Sequence, residues 1–183
     1  GETTVVLSAS DIYGNEFTTS FVIVVEDHEL PVISGMPESV TIDNIPGFCG
    51  ASYSWDYPIA TDNCDVLTPT AEFLSGHFFP VGTTTVVYSV TDDSGNSSDE
   101  TFTVTVVDAE APVFTNISSD YEVSAAVDQC GAVVVWPEAE ASDNCGVEGI
   151  TYDRTNGLFL GLGDHSVNAT VSDINGLQTT QQF

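Results

Sequence analysis

Asp27 and Glu29 stand just before Pro31, and 81 residues later Asp108 and Glu110 stand just before Pro112. Asp92, Asp93 and Asn96 share a short loop with Ser94 and Gly95, and Asp173 with Asn175 repeats that loop at the same interval. These side chains offer hard oxygen donors. Calcium takes about 6 to 8 such ligands at ~2.4 Å, and clustered Asp, Asn and backbone carbonyls are its usual source. The chemistry open to them is therefore cation binding. A second reactive set is four cysteines, Cys49 with Cys64 and Cys130 with Cys145, spaced identically within each pair.

The charge balance narrows the partners. The chain carries a single basic residue, Arg154, against 28 Asp and Glu, for a formal net charge of -27. Such a surface repels phosphate backbones, which excludes nucleic acid, and it lacks the basic patch that anionic headgroups attract. Crowded carboxylates oppose a compact state unless cations screen or bind them. With 10 Phe, 6 Tyr and 2 Trp the chain still has the apolar material for a core, unlike an acidic disordered tail. No apolar run approaches the ~20 residues of a helical membrane span, so direct membrane insertion is not expected.

The elements that must position these groups recur. Gly1, Gly82 and Gly163 keep the 81-residue interval, as do Asp11, Asp92 and Asp173, and Phe21, Phe102 and Phe183. Cys49 matches Cys130, Trp55 matches Trp136, and Asp62-Asn63-Cys64 matches Asp143-Asn144-Cys145. Register without gaps marks a tandem array. The expected division is a C-terminal hairpin of a preceding repeat at 1–27, a complete repeat at 28–108, and a second repeat at 109–183 that is truncated in its last strand. Because an isolated two-stranded hairpin is marginal in water, the segment reads as a window on a longer array.

Alternation of β-branched residues predicts a hairpin from Thr83–Thr91 and Glu100–Val107 around a turn-rich loop. The same hairpin falls one repeat earlier, at Val5–Ser10 and Phe17–Val25. Shorter strands are expected at Val40–Ile42, Ser52–Trp55 and Thr70–Phe73, with Trp55 and Trp136 as core residues. About seven short strands per repeat, without helical periodicity, predict an all-β fold of tandem immunoglobulin-like β-sandwich repeats of 81 residues.

In such a sandwich the loop of the last hairpin lies where the chain enters the domain. Asp92, Asp93 and Asn96 should then approach Asp27 and Glu29, and Asp173 and Asn175 should approach Asp108 and Glu110. Calcium held there would stiffen each junction. Asp62-Asn63 and Asp143-Asn144 are further donors, whose loop the sequence assigns to neither end. The competing reading is that Asp, Asn, Ser and Gly are simply what tight turns use. The even, periodic cysteines predict disulfides in an oxidising compartment, most economically paired within each repeat, Cys49 with Cys64 and Cys130 with Cys145. The rival is a thiolate metal site, for which His28, His77 and His165 fall out of register.

The ordered motifs carry a resemblance. Each repeat opens with an acidic residue and proline, continues with Cys-Gly-Ala (49–51, 130–132) and an Asp-Asn-Cys loop, then Phe79-Pro80-Val81-Gly82-Thr83-Thr84. It closes with Val90-Thr91-Asp92-Asp93-Ser94-Gly95-Asn96 and Phe102–Asp108. Over its whole length the chain resembles the hyalin repeat (HYR) family. The resemblance implies an immunoglobulin-like fold and a place in extracellular, secreted or cell-surface adhesion and matrix proteins, including bacterial or marine ones. A second cysteine pair carried by many members is missing together near Ser34–Pro37 and Ser98–Phe102. Leu160-Gly161-Leu162-Gly163 replaces Phe-Pro-Val-Gly in the last repeat.

Nearly every distinctive residue is repeated, whereas an enzyme site needs one convergent set, so catalysis is not expected. The expected role is structural and adhesive: a rod-like stalk, adhesin shaft or filament subunit whose partners are further copies of the repeat, in one chain or a fibre. The alternative is an accessory carbohydrate-binding module contacting surface or matrix glycans through Phe78-Phe79, Tyr57 or residues 158–160.

Overall fold

The computed structural model describes residues 1–64, 67–120 and 122–183, and these are strand and loop throughout. The strands are β1 (Glu2–Ser10), β2 (Glu16–Val24), β3 (Val32–Ser34), β4 (Val40–Asp43), β5 (Gly50–Ser52), β6 (Ile59–Thr61), β7 (Thr70–Ala71), β8 (Phe78–Pro80), β9 (Gly82–Thr91) and β10 (Ser97–Val107). They continue as β11 (Val113–Asn116), β12 (Gly131–Val134), β13 (Glu140–Ser142), β14 (Val147–Tyr152), β15 (Leu158–Gly161), β16 (Asn168–Asp173) and β17 (Gln178–Gln182). The fold is all-β, built of tandem immunoglobulin-like β-sandwich repeats.

Two compact units are present. The first comprises Gly1–Pro37, Asp56–Leu74 and Val86–Phe102. In it β1 pairs with β2 from Glu2↔Val24 to Ser10↔Glu16, β3 pairs with β6, and β7 pairs with β9, all antiparallel. Its core is Ala60, Val86, Tyr88, Val90 and Phe102. Successive residues of a strand face opposite sides, so Val86, Tyr88 and Val90 share the inner face of β9. Carried one step past the strand, the same alternation buries Asp92, which is 6% exposed.

The second unit comprises Glu38–Trp55, Ser75–Thr85 and Thr103–Phe183. There β4 runs parallel to β10, with Val40↔Val104 through Asp43↔Val107, and β5 pairs with β8, β11 with β13 and β12 with β15. β14, β16 and β17 form an antiparallel sheet. Inward positions again alternate: Val104, Val106 and then Asp108; Ala169, Val171 and then Asp173. Inner-face alternation thus delivers a carboxylate to the end of three strands.

Trp55 and Trp136 are buried, but neither is in a strand. The expected strand Ser52–Trp55 ends where it was to begin, at Ser52. The reason is local competition for the backbone. Ser75 Oγ accepts from Trp55 N–H at 2.8 Å and donates to Trp55 C=O at 2.7 Å. Asn156 makes the same clamp on Trp136, at 3.1 and 2.9 Å. A side chain that satisfies both main-chain groups offers an alternative to the ladder.

Gly50 and Gly131 explain the recurrent Cys-Gly-Ala. A Cβ on Gly50 would collide with the Phe79 carbonyl oxygen and the Phe78 ring, and one on Gly131 with the Leu160 carbonyl oxygen and the Phe159 ring. Gly50→Ala or Gly131→Ala should therefore lose ~1–3 kcal/mol of stability by overpacking. Gly149→Ala is the control, because nothing lies within 4 Å of its Cβ position. Urea unfolding should rank the three variants in that way; equal midpoints would remove the close-approach argument.

In the second repeat a cavity of about 850 Å³ opens beside Trp136, Leu160, Val167 and Phe183. Residues 122–124 there form no strand, whereas their register equivalents at positions 41–43 belong to β4, beside the inner residues Val104 and Val106.

Candidate functional site: the acidic clusters at the repeat junctions

The first junction is assembled from three segments. Asp27 follows β2, and its Oδ1 accepts from Glu29 N–H at 3.1 Å and from Asn63 Nδ2 at 3.3 Å. Asn96, in the β9–β10 loop, donates its amide to the Asp27 carbonyl at 3.3 Å and to Asp92 Oδ2 at 2.7 Å. Asp62 caps its own turn by accepting from Cys64 N–H at 3.1 Å. Ligand atoms of Asp27, Asp62 and Cys64 lie within 4.8 Å of one another.

The second junction repeats this build. Asp108 Oδ1 accepts from Glu110 N–H at 3.2 Å and lies 3.5 Å from Asn144 Nδ2. Asn175 donates its amide to Asp108 Oδ2 at 2.7 Å. Asp143 Oδ1 accepts from Cys145 and Gly146 N–H at 2.8 and 3.0 Å, and Asp173 Oδ1 accepts from Asn175 and Leu177 N–H at 2.8 and 2.9 Å. Asp108, Asp143 and Cys145 place ligand atoms within 4.8 Å of one another.

The structure therefore brings Asn96 to Asp27, with Asp92 linked to it through the Asn96 amide, and Asn175 to Asp108. Asp93 is exposed, and so is Glu29. Glu110 turns to Gly47, whose N–H donates to its two carboxylate oxygens at 2.9 and 3.1 Å. The Asp-Asn-Cys loops, which sequence assigned to neither end, lie at the junctions. Asn44 was not foreseen: 7% exposed, it accepts from Ala109 N–H at 2.9 Å and donates to the Phe48 carbonyl at 3.0 Å. Its register equivalent is Ala125, so the repeat pattern carried no signal for it.

Electrostatically these clusters are unfinished. Asp27 Oδ2 and Asp62 Oδ2 at the first junction are buried without a hydrogen-bond partner, as are Asp143 Oδ2, Asn144 Oδ1 and Asp173 Oδ2 at the second. A buried acceptor left unmade costs ~1–3 kcal/mol, and more when charged. Neutralisation by protonation is disfavoured at Asp27 and Asp92. The Glu29 N–H, the Cys64 thiol and the Asn63 amide hold the Asp27 carboxyl below its ordinary range despite burial. Burial pushes Asp92 up, yet the Asn96 amide and the N–H groups of Asn96, Gly95 and Ser94 outweigh it and leave the group lowered. One arginine and no lysine serve 28 acidic residues, so counter-charge has to come from solution. The donors offered at the second junction are oxygens, since Cys145 Sγ is consumed in a disulfide. That donor set fits a hard cation such as calcium, which needs several oxygens and tolerates irregular geometry.

The disulfide corrects the expected pairing. Cys49 bonds Cys145, across the repeats and 96 residues apart, with Cα atoms 4.6 Å from each other. Cys49 is thus not joined to Cys64, nor Cys130 to Cys145; Cys64 and Cys130 carry thiols at exposed positions. The physical reason lies in the junction. Asn144 donates to the carbonyl of Phe48 at 3.1 Å, which docks the loop ending in Cys145 against the residue before Cys49. Spacing along the chain favoured the local pair; docking of one repeat's loop on its predecessor decides the actual one.

Buried periodic cores, paired acidic clusters and a disulfide between successive repeats define a tandem all-β repeat module. Residues 26–106 and 107–183 each match the model of the HYR domain, and the chain belongs to that family. It is 34% identical over 181 residues to hyalin of Strongylocentrotus purpuratus, covering 95% of this chain and 15% of that protein. It is 36% identical over 192 residues to hyalin of Lytechinus variegatus, covering 98% and 35%. Against the mouse sushi, von Willebrand factor type A, EGF and pentraxin domain-containing protein 1 it is 30% identical over 161 residues, covering 86% and 4%. The chain thus spans a minor part of these relatives. They are animal proteins, one from mouse, so the bacterial or marine origin expected from the resemblance finds no support in them. A protocadherin gammaB7 EC3-6 cis-dimer structure aligns over 99% of this chain and 56% of that one, with a TM-score of 0.42 and 16% identity.

Proposed function

We propose that the chain is a segment of an extracellular, adhesion-related array whose repeats, divided near 27/28 and 108/109, stand end to end as a stalk or filament shaft stiffened by calcium at each junction. The observation that carries this reading is the register-equivalent pair of clusters, each with buried carboxylate oxygens lacking any partner. Asp27, Asp62, Asp92 and the Asn63 and Asn96 amide groups would surround the ion at the first junction. Asp108, Asp143, Asp173, Asn144 and Asn175 would do so at the second. A cation held there would tie the end of one repeat, at Asp27 or Asp108, to the last-hairpin loop and the Asp-Asn-Cys loop of the next. The disulfide supports an oxidising, extracellular setting, and the relatives named hyalin support a matrix or surface role. Its partners would be further copies of the same repeat. Of the aromatics that the carbohydrate-module alternative draws on, Phe79 is 1% exposed and packs inside the core against Trp55 and His77, whereas Phe78, Tyr57 and Phe159 are exposed.

The test is thermal unfolding of the whole chain in calcium and in EGTA, with isothermal titration. The expected result is a rise of roughly 5–15 °C in calcium, since a ligand at about 100 to 1,000 times its Kd adds ~3–4 kcal/mol, with about one ion per junction. Superimposable melting curves and no titration heat would show that the acidic loops act as turns alone.

A further inference from the structure

The bridge between Cys49 and Cys145 uses one cysteine from each of two successive repeats, and each repeat keeps its other cysteine. By the 81-residue register Cys130 occupies the position of Cys49, and Cys64 that of Cys145. The structure shows more than sequence equivalence. Cys49 sits in a loop closed by Ile45 N–H on Gly50 C=O at 2.8 Å and by Phe48 N–H on Ile45 C=O at 2.9 Å. Cys130 sits in the same frame, with Ala126 on Gly131 at 2.9 Å and Gln129 on Ala126 at 3.0 Å. Both loops lead into a strand held in identical register, Gly50↔Pro80 and Gly131↔Gly161, behind a glycine covered by a phenylalanine ring. Even the left-handed residue recurs: Gly47 at φ 77° is matched by Asp128 at φ 61°, which is the single non-glycine residue with positive φ among those described. An aspartate held where glycine belongs is strained by about 1 kcal/mol or more, so the loop shape is kept at a cost.

The incoming side is equally conserved in form. Cys64 and Cys145 both follow an aspartate that caps the cysteine N–H, at 3.1 and 2.8 Å, and an asparagine whose amide reaches the junction aspartate, at 3.3 and 3.5 Å.

We propose that Cys130 is the outgoing half of a second inter-repeat disulfide, whose incoming half is the Asp-Asn-Cys cysteine of a following HYR repeat, and that Cys64 is the incoming half of the corresponding bridge from a preceding one. Every repeat is then cross-linked to both neighbours, and the array is a covalent ladder in which each junction carries one staple beside its acidic cluster. The inference rests on the repeat register and is independent of calcium. Forming the bridge takes one proton and one electron from each of two thiols. The electrons pass to a disulfide oxidant such as oxidised glutathione, whose S–S bond breaks to release two reduced thiols as the protein S–S bond forms.

The experiment lengthens the chain in register by repeating residues 103–183 directly after Phe183, followed by oxidation in a glutathione buffer, non-reducing proteolysis and mass spectrometry. The expected product links Cys130 to the added copy of Cys145, beside the original Cys49–Cys145 bridge, and Cys130→Ser removes the new link alone. A bond between Cys130 and the Cys145 of its own repeat, or a Cys130 still alkylated by iodoacetamide in the folded, oxidised chain, would overturn the proposal. Placing residues 28–81 before Gly1 gives a second, independent extension, in which the added copy of Cys49 should bond Cys64; a bond from Cys64 to the original Cys49 would overturn it too. In the 183-residue chain itself, iodoacetamide should label Cys64 and Cys130 before reduction and Cys49 and Cys145 only afterwards. Labelling of Cys49 or Cys145 without reductant counts against the staple.

Discussion

Asp143→Asn is expected to raise the melting temperature of the chain in EGTA and to lower it in calcium. Asp143 Oδ1 accepts the N–H groups of Cys145 and Gly146, and an asparagine carbonyl oxygen does the same. Its Oδ2 is buried without a partner, and a ligand atom of Asp143 lies within 4.8 Å of one from Asp108, which is 6% exposed. Two like charges at that separation repel by about 3 kcal/mol at an effective dielectric constant near 20. Replacing one carboxylate oxygen by an amide removes the charge, and with it the repulsion, and takes away the unpartnered anionic acceptor. Without metal the gain should be ~1–3 kcal/mol, or roughly 5 °C for a chain of this size. With calcium the same change deletes a charged ligand. A hundredfold loss of affinity corresponds to about 2.7 kcal/mol, enough to reverse the order of the two proteins. Asp143→Ala lacks the crossing: it strips two N–H groups of their acceptor, and it should melt lower in both media by ~2–4 kcal/mol. Melting curves for all three proteins in both media, with terbium luminescence as the reporter of occupancy, decide the matter. Parallel shifts of the Asn variant in calcium and EGTA would mean that Asp143 is a turn residue and nothing more.

How far this site was legible in the sequence depends on which physical rule placed each residue. Asp92 and Asp173 were found as loop acids, but their burial follows from something stricter. Val86, Tyr88 and Val90 lead to Asp92 at intervals of two, as Ala169 and Val171 lead to Asp173, so period-two alternation already aimed them inward. Asn44 had no such signal, because the second repeat carries alanine at its position. The pairing of Cys49 with Cys145 was hidden for a different reason. Spacing along one repeat reports what is near in the chain, whereas the bridge is set by where Asn144 docks, on the Phe48 carbonyl of the repeat before. The same distinction explains the tryptophans. Hydrophobicity correctly put Trp55 and Trp136 in the core, but the Ser75 and Asn156 clamps that take their backbone out of the ladder come from residues 20 positions away.

Breaking the Cys49–Cys145 bridge should be the most damaging single change outside the core, and the way the losses combine should identify the partners. The closed loop spans 96 residues. In the chain-entropy model a loop of about 100 residues contributes ~4.7 kcal/mol and one of about 15 residues ~3 kcal/mol. Magnitude alone therefore separates the observed pairing from a within-repeat one only weakly. A double-mutant cycle separates them sharply. Cys49→Ser and Cys145→Ser should each cost ~4 kcal/mol, lowering the melting temperature by roughly 10 °C or more. The double variant should cost hardly more than either alone, because the second substitution has no bond left to remove. Cys49→Ser combined with Cys64→Ser should behave otherwise. Cys64 sits at the first junction with Asp27 and Asp62, so its replacement should change stability slightly and additively. Dithiothreitol should lower the parent to the level of Cys49→Ser and leave that variant where it was. Coupling between Cys49 and Cys64, or additivity between Cys49 and Cys145, would return the disulfide to a single repeat. The staple also bears on the cation. It fixes Phe48 and Asn144 on either side of the second junction, so its loss frees the donors that must converge there, and the calcium response of the second junction should shrink more than that of the first.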